Sequence, residues 1–194
     1  MSRFGCAAAL AAIGAMSSAH VVTVEESPLF DRHVDARSGV VSYILKKNIT
    51  GYFNQQSLYF TTKSMTDDGR FLVFNASSED QNRRRAFCAD LERGVVFPLT
   101  AESVVRDRQS LMNKDGNGPW VDVANDRYYF IARSPDRVAF IDLRHPEAGT
   151  NTCCVIPKAD VLEGFDEPHG YRYATHMTLT PDRRKAFFDG KYMK

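Results

Sequence analysis

From residue 39 onward the chain alternates short apolar runs with turns built from Asp, Gly and Pro. Gly39-Val40-Val41-Ser42-Tyr43-Ile44-Leu45 is rich in β-branched and aromatic residues, as strands are. Further strands are predicted at 57–65, 71–76, 85–91 and 95–99, then at 120–123, 128–132, 138–143 and 153–156, and then at 174–179 and 186–188. One strand–turn–strand pattern recurs three times. It opens with Ser64-Met65-Thr66-Asp67-Asp68-Gly69-Arg70-Phe71-Leu72-Val73-Phe74, returns at Asp122-Val123-Ala124-Asn125-Asp126-Arg127-Tyr128-Tyr129-Phe130, and returns again at Thr178-Leu179-Thr180-Pro181-Asp182-Arg183-Arg184-Lys185-Ala186-Phe187-Phe188. The turn residues Asp68, Asp126 and Asp182 stand 58 and 56 residues apart. Four strands per unit, at a period slightly above the about 40–50 residues of a propeller blade, predict an all-β fold, a β-propeller of four-stranded antiparallel blades.

On this reading blade one spans 54–99, blade two 119–156, and blade three starts at 173–194. Residues 39–45 form a ring-closing strand that pairs with the last blade and covers a sheet edge. Residues 20–38 are a polar lead-in, and 100–119 and 157–173 are long connections of the kind that carry binding groups on a rigid scaffold. Only two to three blades fit in 194 residues. A closed ring at this period needs at least about 230 residues for four blades and roughly 400 for seven. The chain therefore reads as the N-terminal fragment of a ring that is seven-bladed when complete, and monomeric at full length.

Charge adds exclusions. The 25 basic and 24 acidic residues balance, which excludes a strongly basic nucleic-acid groove, and Arg83-Arg84-Arg85 reads as a solvated strand edge. No apolar run is long enough to span a membrane. Residues 1–19 read as a secretory signal, with Arg3, an apolar stretch at 6–16 and the small exit Ser17-Ser18-Ala19. Cleavage after Ala19 predicts a secreted or periplasmic protein. Three cysteines then remain, Cys88, Cys153 and Cys154. Adjacent cysteines on a regular strand point to opposite faces and would close only a strained ring; the three are read as buried free thiols in strands, with a Cys88 bridge to Cys153 or Cys154 as the alternative. Asn48-Ile49-Thr50 and Asn75-Ala76-Ser77 are glycosylation sequons if the source is eukaryotic.

Three constellations can carry chemistry. Asn54, Gln55 and Gln56 lie at the entry to the innermost strand of blade one, where amides bind sugar hydroxyls or present carbonyl oxygens to a metal, or simply form a polar turn. Lys63 on the same strand meets a carboxylate or faces solvent. The second constellation, His169-Gly170-Tyr171-Arg172-Tyr173-Ala174-Thr175-His176, leads into the innermost strand of blade three. His176 there suits a base or a metal ligand, and Arg172 a bidentate clamp on a carboxylate. The third is Asp115-Gly116-Asn117-Gly118-Pro119-Trp120, whose Trp120 suits a sugar face or inter-blade packing equally. No phosphate loop, CxxC, HExxH or GxSxG occurs, and Asp122 is the one acid placed on an innermost strand.

The stretch Tyr52-Phe53-Asn54-Gln55-Gln56-Ser57-Leu58-Tyr59-Phe60-Thr61-Thr62-Lys63-Ser64-Met65-Thr66-Asp67-Asp68-Gly69-Arg70-Phe71-Leu72 resembles the first blade of secreted seven-bladed propeller carbohydrate enzymes. These are the oligogalacturonate lyases, ulvan lyases and rhamnose–glucuronate lyases, the last of which it resembles most. Gly39-Val40-Val41-Ser42-Tyr43-Ile44-Leu45 and Thr175-His176-Met177-Thr178-Leu179-Thr180 share the likeness, which covers about residues 28 to 190. The resemblance implies an acidic oligosaccharide or polysaccharide substrate and β-elimination at a uronic acid. Arg172 or a divalent metal (Ca, Mn or Zn), held by His176 and Gln56, neutralises the carboxylate, and His176 or Tyr171 moves the proton. Asn54, Gln55, Gln56, Lys63, Trp120 and His169 then contact the sugar. One departure stands out. Gln55-Gln56 occupies the place where a histidine is expected, and an amide is no base near neutral pH. Either another base serves or the enzyme is impaired. A non-catalytic binding propeller and a glycoside hydrolase are the alternatives.

Overall fold

The computed structural model describes residues 22–59, 62–104, 117–132, 137–155 and 171–192, with backbone alone at 103–104, 117, 171–176 and 188–192. The segment read as a secretory signal lies outside them. β1 (Phe30–Val34) and β2 (Val41–Leu45) form an antiparallel hairpin, so part of the expected lead-in is a strand. Blade one follows as β3 (Asn54–Ser57), β4 (Phe71–Ser77), β5 (Arg83–Asp90) and β6 (Val95–Pro98), in that spatial order. β7 (Ser103–Val104) takes the part of the β5 edge beyond β6. Blade two runs β8 (Asn117–Asp122), β9 (Arg127–Ala132), β10 (Arg137–Asp142) and β11 (Asn151–Val155), again side by side in chain order. β12 (Tyr171–Leu179) and β13 (Ala186–Tyr192) begin blade three. This is a partial β-propeller of antiparallel blades, and among the described residues the only helical turn is the 3-10 segment Pro146–Ala148.

The innermost strand of blade one departs from expectation. It is Asn54–Ser57, paired with Phe74–Ser77, and not 57–65. Pairing resumes only at the isolated Met65–Leu72 bridge. In between, the chain makes an excursion closed by Leu58 N–H donating to Ser64 Oγ at 3.0 Å, while Val73 N–H donates to the Ser64 carbonyl at 2.7 Å. The apolar run Leu58-Tyr59 satisfies the strand pattern. The Leu58 N–H nevertheless turns to the Ser64 hydroxyl, while the Ser64 carbonyl bonds Val73 in register with the Met65–Leu72 bridge.

Blade stacking follows from the two faces of β4. Phe71 and Val73 point with Cys88 of β5 toward blade two, where they meet Tyr128, Phe130, Ile141 and Leu143. Phe74 and Ala76 point the other way and pack with Phe87, Ala89, Leu29 and Tyr52, so the N-terminal segment covers the outer face of blade one. Tyr129, Ile131 and Val138 of blade two pack on Met177 and Leu179 of β12. Each fully buried side chain of this size contributes about 1.5–3 kcal/mol. The stacking of blades is thus a consequence of strands that are apolar on both faces.

Three of the hairpin turns share one construction. In Thr66–Phe71 the Thr66 hydroxyl donates to Asp68 Oδ1 (2.7 Å) and accepts from Phe71 N–H (3.0 Å), and Asp68 Oδ1 also accepts from Arg70 N–H. Gly69 takes the positive φ of 72°. Thr180, Asp182 and Arg183 (φ 58°) repeat this in blade three, as do Ser78, Asp80 and Gln81 (φ 58°) between β4 and β5. The last copy, within the 78–83 loop, escapes the 58/56-residue period because it joins the second and third strands.

Candidate functional site

The two ends of the blades differ in chemistry. At one end lie the turns between first and second strands, tied together by charge. Arg183, in the turn of blade three, donates Nε and Nη2 to the two Asp122 oxygens at 2.7 and 2.6 Å, and Asn125 Nδ2 donates to Oδ2 at 2.9 Å. Burial works to raise the Asp122 pKa, but the Arg183 and Asn125 hydrogen bonds prevail and hold it below the usual carboxylate value. Arg144, just after β10, donates to Asp126 of its own blade and to Asp68 of blade one, both at 2.6 Å. Its guanidinium also stands 5.7 Å from the centre of the Phe71 ring. Burial, aided by the neighbouring Asp68 charge, leaves Asp126 above its ordinary value, whereas the Thr66, Arg70 and Arg144 bonds outweigh burial at Asp68 and lower it. The Asp67 N–H donates to the Val123 carbonyl at 2.9 Å. This end holds blades together.

At the other end the innermost strands begin. Asn54 and Gln55 are half-buried and spoken for: Asn54 Nδ2 donates to the Ser78 carbonyl (3.3 Å) and Gln55 Nε2 to the Lys46 carbonyl (3.2 Å). Gln56 is exposed opposite Asn75, on the face of β4 that carries Phe71 and Val73 toward blade two. Tyr171 and Arg172 open β12 opposite Tyr192 and Lys191. The β12–β13 register slips between Tyr173 and Met177, so Ala174, Thr175 and His176 lie in an irregular stretch. β8 carries its own irregularity between Asn117 and Trp120. The two meet: a Cβ on Gly118 (φ 59°) would come within 3.2 Å of Met177 Cβ, so glycine permits both the backbone turn and the close approach. Bulges in adjacent innermost strands re-aim side chains, as they do beside many active sites.

Two candidates fall elsewhere. Lys63 is exposed at the turn end, 3.4 Å from Asp67 Oδ1. Trp120 is half-buried against the cluster between blades two and three, its ring 5.6 Å from that of Tyr129. His169 lies outside the described residues. Cys88 is buried as expected, but Cys153 and Cys154 are exposed on the outer strand, which corrects the reading of all three as buried. A shallow surface groove over the β1–β2 hairpin, lined by Asp31, Arg32, His33, Ile44, Lys46 and others, contains none of the residues singled out from the sequence. The Arg183–Asp122 and Arg144–Asp68–Asp126 links were not foreseen. Their only sequence signal is an arginine in or after an Asp turn.

No protein-family model and no curated protein matches the chain. Among solved structures it is similar to an oligogalacturonate lyase from Vibrio parahaemolyticus, with a TM-score of 0.53 and 17% identity over 81% of this chain and 34% of that one. The chain thus spans about a third of the length of the structure it matches. The likeness is one of fold and agrees with the strand order of the blades.

Proposed function

We propose that the chain belongs to a secreted carbohydrate-acting propeller that binds an acidic oligosaccharide and cleaves it beside a uronic acid by β-elimination, of the rhamnose–glucuronate type. The observation that carries the reading is the division of labour between blade ends. The ion pairs that link neighbouring blades sit at one end, and Gln56, Tyr171 and Arg172 belong to strand starts at the other, with His176 farther along β12 in its irregular stretch. The fold likeness to an oligogalacturonate lyase supports the same substrate class.

In this reading Arg172 pairs with the uronate carboxylate, which makes the neighbouring ring proton more acidic. His176 or Tyr171 removes that proton, and the glycosidic oxygen leaves with a proton from the other. Gln56 and Asn54 hold sugar hydroxyls. His176 and Gln56 would hold a divalent metal (Ca, Mn or Zn), which would supply a Lewis acid to the uronate carboxylate. The steps of the reaction are assigned to the chain's own residues. A hydrolase needs two carboxylates flanking the bond, and Asp122, the acid expected on an innermost strand, is committed to Arg183. A binding module without catalysis remains the second reading, favoured by the amides at 55–56 and by the engagement of Gln55 with Lys46.

The test is incubation with oligogalacturonates and with rhamnose–glucuronate oligosaccharides, following near-ultraviolet absorbance and calorimetric binding. A lyase yields an unsaturated, absorbing product that Arg172→Ala and His176→Ala suppress. Binding without absorbance supports the module, and neither signal refutes both. A secreted mature form beginning at His20 is the corresponding expectation for export, read by intact mass.

A further inference from the structure

Cys153 and Cys154 are adjacent in sequence and both exposed. On a regular strand they would point to opposite faces. β11 is not regular at this place. Val138 pairs with Cys154 and Ala139 with Thr152, so Cys153 is the extra residue of a β-bulge. A bulge sets two residues of one strand against one of its partner and kinks the strand, which breaks the alternation that would separate the thiols. The two thiols are near enough that Cys154 pushes up the pKa of Cys153. β11 is also the outer strand of blade two, at the edge of its sheet, where a reagent can reach it.

Two exposed thiols adjacent on one bulge can close on each other or on a third atom. Consecutive Cα atoms lie about 3.8 Å apart across a trans peptide, whereas disulfides span about 4.4–6.8 Å between Cα atoms. A direct vicinal disulfide is therefore strained, and inserting one bridging atom relieves the ring. We propose that Cys153 and Cys154 form a vicinal dithiol site that chelates a trivalent thiophile of the organoarsenical class through both sulfurs. The step is a condensation. Two As–S bonds form, the As–O bonding is lost, and the oxygen leaves as water with both thiol protons; arsenic stays trivalent and no electrons are transferred. Burial and the neighbouring Cys154 raise the Cys153 pKa, which keeps that proton in place near neutrality. The site does not depend on the proposed lyase activity.

The probe is phenylarsine oxide added to the intact chain, read by mass spectrometry and by counting free thiols. The expected result is one adduct per chain, with loss of two thiols, that survives excess monothiol and is removed by a dithiol. Cys153→Ser and Cys154→Ser should each leave an adduct held about 10²- to 10⁴-fold more weakly, since the second bond is intramolecular. Cys88→Ser should change nothing. An adduct that monothiol removes from the wild type as easily as from the serine variants overturns the proposal, as does an adduct retained in the double variant. The variants' thermal melts, expected to match the wild type at these exposed positions, establish that the comparison is between folded proteins.

Discussion

Replacing Arg183 by Asn tests whether the blade-three turn clamps blade two. Asparagine tolerates the positive φ of 58° at this position, so the substitution removes the guanidinium without adding backbone strain. The Asp122 side chain is 2% exposed and that of Arg183 33%. Breaking a fully buried pair costs about 3–5 kcal/mol, and an exposed pair contributes about 0–1 kcal/mol. With one partner a third exposed and Asn125 still bonded to the carboxylate, we expect a loss of about 2 kcal/mol, or about 4–8 °C in melting temperature for a chain of this length. Because the folded Asp122 pKa lies below its ordinary value of 3.8, its contribution is complete above that value and is lost as the pH falls through the folded pKa. The gap between wild type and variant should therefore be full at pH 7 and close on acidification. Circular-dichroism melts at both pH values, with Arg184→Asn as the exposed control and Asp122→Asn completing a double-mutant cycle, provide the measurement. The reasoning fails if Arg183→Asn melts with Arg184→Asn, or if the Asp122 and Arg183 effects simply add.

Arg144→Ala removes the link between Asp68 and Asp126; with Arg144 44% exposed the cost is about 1 kcal/mol, and Asp126→Asn should recover part of it by removing a carboxylate already repelled by Asp68, both read in urea melts. Thr66→Val deletes the hydroxyl that bonds Asp68 and Phe71 N–H in a buried turn and should destabilise by about 1–3 kcal/mol, whereas Thr180→Val, only half-buried, should cost less in the same assay. Gly94→Ala imposes a side chain at φ 64° with its Cβ 2.7 Å from Pro28 Cγ. Limited proteolysis should then cleave the N-terminal segment over blade one faster than in wild type, and an unchanged cleavage rate would refute that packing.

How much was legible in advance varies with the range of the forces involved. Asp68-Gly69 and Thr180-Pro181-Asp182 announce their turns because the hydroxyl, carboxylate and backbone donors that build them lie within six residues of one another. The second to fourth strands of each blade are legible for a similar reason, since Phe71–Ser77 and Arg127–Ala132 are apolar or aromatic over nearly their whole length. The innermost strand of blade one was misplaced because Leu58-Tyr59 keeps the strand pattern while the Leu58 N–H leaves the ladder for the Ser64 hydroxyl. The candidate site was legible as a set of residue types, but not as a location. Nothing local says that Lys63 stands at the turn end while Gln56 stands among the strand starts.

The sequence by itself determined the all-β class, the blade period and the hairpin turns, because strand pairing between neighbours and Asx turns are short-range hydrogen-bonding problems. Tertiary structure alone decided which arginine meets which aspartate across 61 and 76 residues, that the Asp122 carboxylate is held ionised and engaged by Arg183, and that Leu29 and Tyr52 cover blade one. It also decided that a one-residue slip against β10 places Cys153 in a bulge beside Cys154. These outcomes depend on how two-faced apolar strands stack and where a ladder slips. Hydrophobic burial drives the stacking without encoding partner or register, so position emerges only when whole blades pack.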